Sequence, residues 1–168
     1  MGAARIGPHE LIRAYRPADQ DAVIELAIRA WAPVFASLER MLGHEMFVRL
    51  HGSSWEDFQR RAVRGVLRDA GMHVWVAEEE ARVIAFVAAT VDSERLIGEV
   101  VMLATDPARQ NQGTGSALTE FATGWLREQG MRVAMVDTGG DPGHAPARHV
   151  YEQAGYQPLP VARYFRNL

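Results

Sequence analysis

Two periods of apolar and polar positions run along this chain, and together they predict the elements. The stretch "LIRAYRP" (11–17) alternates and predicts a first strand. In "ADQDAVIELAIRAW" (18–31), Ala22, Val23, Leu26, Ala27 and Ala30 recur at helical spacing. Asp19 suits the N-cap of that helix, and Pro33 predicts a break near its end. A second helix is predicted over "SWEDFQRRAVRGVLRDA" (54–70), capped by Ser53 or Ser54 and punctuated by Gly71. "HVWVAEE" (73–79) and "RVIAFVAATV" (82–91) read as two strands joined by a charged hairpin at Glu80 and Ala81. "IGEVVMLAT" (97–105) is a third, more buried run. The helix "GSALTEFATGWLREQ" (115–129) puts Ala117, Leu118, Phe121, Trp125 and Leu126 on one face, with Gly130 as its C-cap. "RVAMVDT" (132–138) predicts another buried strand. "APARHVYEQA" (145–154) predicts a short helix that Gly155 ends, and "YQPLPVARYFRNL" (156–168) a last strand or pair of strands. The strand-helix-strand order at 99–138 implies a parallel crossover, and the hairpins imply antiparallel pairing elsewhere. A mixed sheet with helices on both faces follows, of the α/β or α+β class.

Composition changes this picture little. The 168 residues fit one domain, expected over 11–168 behind a short mobile tail over 1–10. A formal net charge of −3 gives no pull toward nucleic acid or an anionic membrane. Cysteine is absent, which excludes disulfides, thiolate ligands and a cysteine nucleophile, and fits a reducing cytoplasm. The 6 histidines are scattered, and His144 and His149 are badly spaced for one helix face, so no metal is expected.

The chemistry gathers at "DPARQNQGTGSAL" (106–118). A strongly apolar strand ends there, the chain turns through Asp106 and Pro107, and a helix opens behind Gly113 and Gly115. A helix N-terminus leaves amides unpaired and binds phosphate, and glycines let an anion approach the backbone. By itself the pair of glycines also fits a simple turn. A P-loop is excluded, because Ser116-Ala117 follows Gly115 with no lysine. A dinucleotide fingerprint is excluded, because Leu118 stands where a small residue is required.

Gln110-Asn111-Gln112-Gly113-Thr114-Gly115 resembles the Gln/Arg-x-x-Gly-x-Gly/Ala signature of the GNAT superfamily of N-acetyltransferases. The block from His144 to Tyr156, "HAPARHVYEQAGY", is similar to that family's second motif, roughly Asn-x-x-Ala-x-x-x-Tyr-Glu-x-x-Gly-Phe. The segment "IRAYRPADQDAVIELA" resembles its first strand and helix. The likeness covers about residues 11 to 166 and departs at His144, where the family often has Asn.

The resemblance implies a single GNAT-like domain with a six- to seven-stranded mixed sheet and a splayed parallel strand pair. It implies acetyl-CoA as co-substrate and no metal. The coenzyme pyrophosphate would lie on Gln110, Asn111, Gln112, Gly113, Thr114, Gly115 and Ser116. The pantetheine would pair with Met102, Leu103, Ala104 and Thr105, with His144 near the coenzyme arm. Arg109 is either a phosphate ligand or a solvated side chain. The implied reaction is acetyl transfer to a primary amine, which needs a base, since an amine of pKa near 10.4 is charged at neutral pH. Glu99, the only acid in its apolar strand, is the candidate base, with Asp137 as rival. Tyr151 matches the family's general-acid position, and packing on the helix face is its other reading. The segment from Trp31 to Trp55 is expected to wall the acceptor site; its aromatics also fit core or dimer contacts. The expected partners are a small-molecule or peptide amine, with a homodimer left open and neither nucleic acid nor membrane. A non-catalytic acyl-CoA-sensing module is the alternative class.

Overall fold

The computed structural model describes residues 4–5 and 10–168. Of the expected tail, residues 1–3 and 6–9 lie outside the described residues, while Ala4–Arg5 forms β1. The chain continues as β2 (Glu10–Ala14), α1 (Gln20–Leu42), α2 (His44–His51), α3 (Trp55–Arg68), β3 (His73–Glu79), β4 (Arg82–Asp92), β5 (Ile97–Thr105), α4 (Thr114–Glu128), β6 (Val133–Val136) and α5 (Ala145–Gln153). Six strands pair in the order β1-β2-β3-β4-β5-β6. All pairs are antiparallel except β5–β6, which is parallel because α4 carries the chain back across the sheet.

Each face of the sheet is covered. On one side Leu118, Ala122, Trp125 and Leu126 of α4 pack on Trp75, Val87 and Val100. Trp75 meets Trp125 edge to face with ring centres 4.8 Å apart. Gly98 belongs to this face, and a Cβ there would collide with the Leu126 side chain, so glycine lets α4 sit down on the sheet. On the other side Val23, Ile24, Leu26 and Ala27 of α1, with Val63 of α3, cover Val76, Phe86 and Ala104. Burying one such aliphatic side chain contributes about 1.5–3 kcal/mol.

Several expectations are corrected. Pro33 does not break α1, which runs for 23 residues. Pro33 and Arg29, whose carbonyl loses its amide partner, both lie on the exposed side of the helix. Asp19 holds the N-cap position, but its carboxylate accepts from the Arg16 amide and pairs with Arg13, not with the helix. Residues 44–51 add a helix, α2, that periodicity did not single out. The β6 strand is not buried: Val133 and Met135 are 54% and 41% exposed. No strand forms over residues 156–168, where Leu159, Val161 and Tyr164 stand in solvent.

Candidate active site

The site begins with an irregularity in β5. Ala88 pairs with Met102, but Ala89 pairs with Val100, so Val101 is an extra residue in the ladder. Such a bulge bends its strand. Pairing with β6 holds only for Ile97–Val100 against Val133–Val136. Beyond it, Met102, Leu103, Ala104 and Thr105 continue with no partner on the β6 side. The parallel pair is therefore splayed, and the backbone edge of Met102–Thr105 lines the opening.

The opening runs into the glycine turn. Asp106 caps a one-turn helix at 107–109 by accepting from the Ala108 amide at 3.0 Å, and it also binds Arg29 of α1 at 2.5 Å. The Gln110 amide group donates to the Thr105 carbonyl at 3.3 Å, and that of Gln112 donates to the Ala108 carbonyl at 3.2 Å. These two side chains brace the loop. Asn111 and Gly113 both take left-handed backbone, with φ of 61° and 89°. A Cβ on Gly113 would project into open space, and the amides of Gly115 and Ser116 have no carbonyl inside α4 to receive them. The hydroxyl Oγ1 of Thr105 is sealed from solvent without a hydrogen-bond partner, the one such side-chain atom among the described residues. It lies 3.4 Å from where a Cβ of Gly115 would stand. An orphaned hydroxyl, exposed amides and empty space over left-handed glycine form a cradle that fits the diphosphate end of a coenzyme. Arg109 points elsewhere: it pairs with Glu79 at the end of β3.

The two candidate proton carriers differ in setting. Tyr151, on α5, is buried. Burial and, to a smaller degree, the neighbouring Tyr156 push its phenol up to about 12, so it stays protonated at neutral pH. The Tyr156 ring centre lies 6.0 Å from that of Tyr151, and its hydroxyl is engaged with Thr123 at 2.8 Å. Glu99 is half-buried just before the bulge, on the sheet face opposite Gly98, and no side-chain hydrogen bond or ion pair among the described residues engages its carboxylate. Asp137 is exposed beyond the end of β6.

His144 is not a free loop residue. It holds the N-cap position of α5 without a side-chain bond to the helix, and its Nδ1 donates to the Oδ1 of Asp141. Asp141 is buried, and its Oδ2 accepts from the Gly143 amide at 2.9 Å. Burial pushes this carboxyl up, yet the hydrogen bonds from His144 and Ser37, with the His144 charge, outweigh it and hold the carboxyl below the ordinary range. Ser37 of α1 also accepts from the Gly143 amide at 3.1 Å, and Arg148 donates to the carbonyls of Gly139 and Asp141. Sequence reading missed Asp141 and Ser37. The run Asp141-Pro142-Gly143 was the available signal for a capped turn, but nothing local pointed to Ser37.

Within the segment expected to wall the acceptor site, some aromatics pack inward while Met41 is 64% exposed. Phe35 stacks on Trp55 at 4.6 Å and meets Phe47 edge on, and both phenylalanines are buried. Glu39 pairs with His44, and Glu45 with Arg49. Among the described residues no cluster of His, Cys, Asp or Glu is placed to hold a metal, and no helix is long and apolar enough to cross a membrane.

A sequence model of the acetyltransferase (GNAT) family matches residues 35–156. A mycothiol acetyltransferase of Sanguibacter keddieii is 31% identical over 159 residues, which are 92% of this chain and 45% of that protein. The chain spans less than half the length of the curated relatives it matches. Among solved structures, a GNAT-family protein from Desulfovibrio desulfuricans superposes with a TM-score of 0.68 at 22% identity, over 90% of this chain and 87% of that one. An aminoglycoside N-acetyltransferase in complex with CoA superposes with a TM-score of 0.64 at 16% identity, over 99% and 97% of the two chains. With its fold shared by those structures and most of its length matched by the family's own sequence model, this chain belongs to the acetyltransferase (GNAT) family.

Proposed function

We propose that this protein transfers the acetyl group of acetyl-CoA to the primary amine of a small molecule by direct attack. The carrying observation is the splayed end of β5, which leads to a glycine turn with a sealed, unpartnered Thr105 hydroxyl. In this reading the amides that open α4 at Gly115 and Ser116, with those of the turn from Gln110 to Thr114, receive the diphosphate. The Met102–Thr105 edge aligns the pantetheine. His144, its Nδ1 committed to Asp141, keeps Nε2 for the coenzyme arm.

The amine nitrogen attacks the thioester carbonyl carbon; the C–N bond forms and the C–S bond breaks. Glu99 takes the amine proton, directly or through water, because it is the unengaged carboxylate beside the opening. Tyr151 gives its phenolic proton to the departing sulfur, a task suited to a phenol that burial keeps neutral. A backbone amide of β5 near Leu103 holds the carbonyl oxygen. The acceptor reading draws on relatives named for mycothiol and aminoglycoside acetylation. Glu39 and Glu45, already paired, are not offered as its cation sites.

The test is thiol release from acetyl-CoA across a panel of small amines and peptides, alongside thermal melts with CoA. Turnover with at least one small amine, and a rise in melting temperature with CoA, are expected. A CoA-dependent rise without turnover on any amine identifies an acyl-CoA-sensing module instead. No rise at all overturns the assignment of the glycine turn.

A further inference from the structure

The two faces of the splayed strand pair are covered unequally. Side chains alternate between faces along β5 and β6, and Gly98, Val100, Ala134 and Val136 face α4. Ile97, Glu99, Val133 and Met135 therefore share the other face. The core on that side takes in Met102 and Ala104 from β5 and no residue of β6. Ile97 and Glu99 stay half-buried there, and Val133 and Met135 stay exposed. Register sets these four side by side: Met135 pairs with Glu99, and Val133 with Ile97. Strands paired in this way lie about 4.8 Å apart. The turn before β5 extends the apolar surface, because Leu96 is exposed and its carbonyl accepts from the Val133 amide at 3.2 Å. Glu99 is thus one carboxylate bordered by aliphatic and thioether side chains.

The polar groups around this floor are committed elsewhere. Thr90, the β4 partner of Glu99, donates its hydroxyl to the Gly71 carbonyl at 3.1 Å. Asp92, the β4 partner of Ile97, accepts from the amides of Glu94 and Arg95 in its own turn. Asp92 and Asp137 stand exposed at opposite ends of the stretch, where water weakens any ion pair. Glu39 and Glu45 are paired with His44 and Arg49. Among the described residues, no row of free carboxylates runs along the floor to receive several ammonium groups.

Resting on the acetyl-transfer reading above, we propose that the acceptor is a primary amine with a single positive charge on an apolar body: its nitrogen meets Glu99, and its aliphatic or aryl chain lies on Ile97, Val133 and Met135. Exposed apolar side chains that adjoin a reaction site gain by being covered, and an apolar chain bound there removes their surface from water along with its own. Aminoglycosides, named for one structural neighbour, carry several ammonium groups on polar rings and fit this floor poorly.

The experiment uses a series of amines from n-propylamine to n-hexylamine, which share one charge and differ only in apolar length. Titrated calorimetrically into CoA-saturated protein, their affinity should tighten about threefold per added methylene. In thiol release from acetyl-CoA, kcat/KM should rise in step while kcat stays nearly flat, since an apolar contact is made equally in ground and transition states. Hexylamine should be preferred to spermidine and to kanamycin by roughly tenfold or more. Val133→Gln and Met135→Gln, both at exposed positions, should each weaken hexylamine roughly fivefold while sparing propylamine and the coenzyme. Turnover without dependence on chain length, preference for either polycation, or a series unaltered in both variants overturns this inference and leaves acetyl transfer standing. So does a Met135→Gln variant that changes sedimentation and not the amine series, which places a second copy on this face. Turnover of no amine overturns the transfer reading itself; the titration alone then decides the floor, supporting it if the chain-length series appears and is lost in the variants, and overturning it if not.

Discussion

The two sides of the splayed strand pair are built by different means. On the α4 side the backbone does the work: a bulge at Val101, left-handed residues at Asn111 and Gly113, and a helix start. Its side chains mostly brace the loop, as Gln110 and Gln112 do. On the side of α1, α2 and α5, side chains from distant segments do the work. Ser37 reaches the Gly143 amide across 106 residues of sequence, and Phe35, Phe47 and Trp55 lock three helices together. A backbone-built cradle suits a constant ligand, because amides and glycine offer no chemistry that drifts. In the proposed function, a wall built from side chains would suit an acceptor that varies between relatives.

The sharpest way to break the contrast is at Gly113. Gly113→Val forces a branched residue into φ near 89° and fills the open space above the turn. Coenzyme affinity should fall on the order of 10³-fold, the loss of two charge-assisted hydrogen bonds. Calorimetric titration reads it, and wild-type affinity would remove the turn from the donor site. Tyr151→Phe should come next, lowering kcat by roughly 10²-fold with coenzyme affinity unchanged. An unchanged kcat, with chemistry rate-limiting, would make Tyr151 a packing residue. Glu99→Gln should abolish the rising limb of the pH–rate profile and leave acetyl-CoA binding intact. If the limb survives, the base is Asp137 or water.

Smaller effects fall on stability. Asp141→Asn keeps the shape of the turn but removes the charge that His144, Ser37 and the Gly143 amide bind. It should cost about 2 kcal/mol, or roughly 4–8 °C in melting temperature. Because the Asp141 carboxyl is held below its ordinary value of 3.8, its contribution is present above that pH and lost as pH falls further. The wild type should therefore converge on the Asp141→Asn variant in acid; two melting curves that stay parallel would deny the charge a role. Tyr151 works in the opposite direction. Its phenol is raised from 10.0 to about 12, so its contribution is complete below pH 10 and lost as pH climbs through 12. Tyr151→Phe should flatten that alkaline loss, as read in urea midpoints across the range.

Sequence legibility follows the same division. The boundaries of β3 and β5 were readable to the residue, because a period of two broken by Gly, Pro and charge is a local signal. The glycine turn was readable because left-handed backbone before a helix is written in glycine and its neighbours. Pro33 misled, since a proline's effect depends on whether water can satisfy the carbonyl it leaves behind, and that is decided by exposure. The burial of β6 and the strand expected over 156–168 misled, because apolar alternation states only that a strand is favoured, not how it is covered or whether an edge receives it.

The amino-acid sequence by itself determined the order from α3 to α5, the parallel crossover through α4, the glycine turn and the placement of Tyr151 on a short helix behind His144. All of these rest on residues within a few positions of one another. Only the tertiary structure decided that β5 and β6 part after Val100, that Arg109 spends its charge on Glu79, and that Asp141, His144 and Ser37 join α5 to α1. Apart from Asp141 with His144, those contacts link residues far apart in the chain. They are selected by packing and by the cost of leaving a buried polar group unpaired, neither of which any short window of sequence contains.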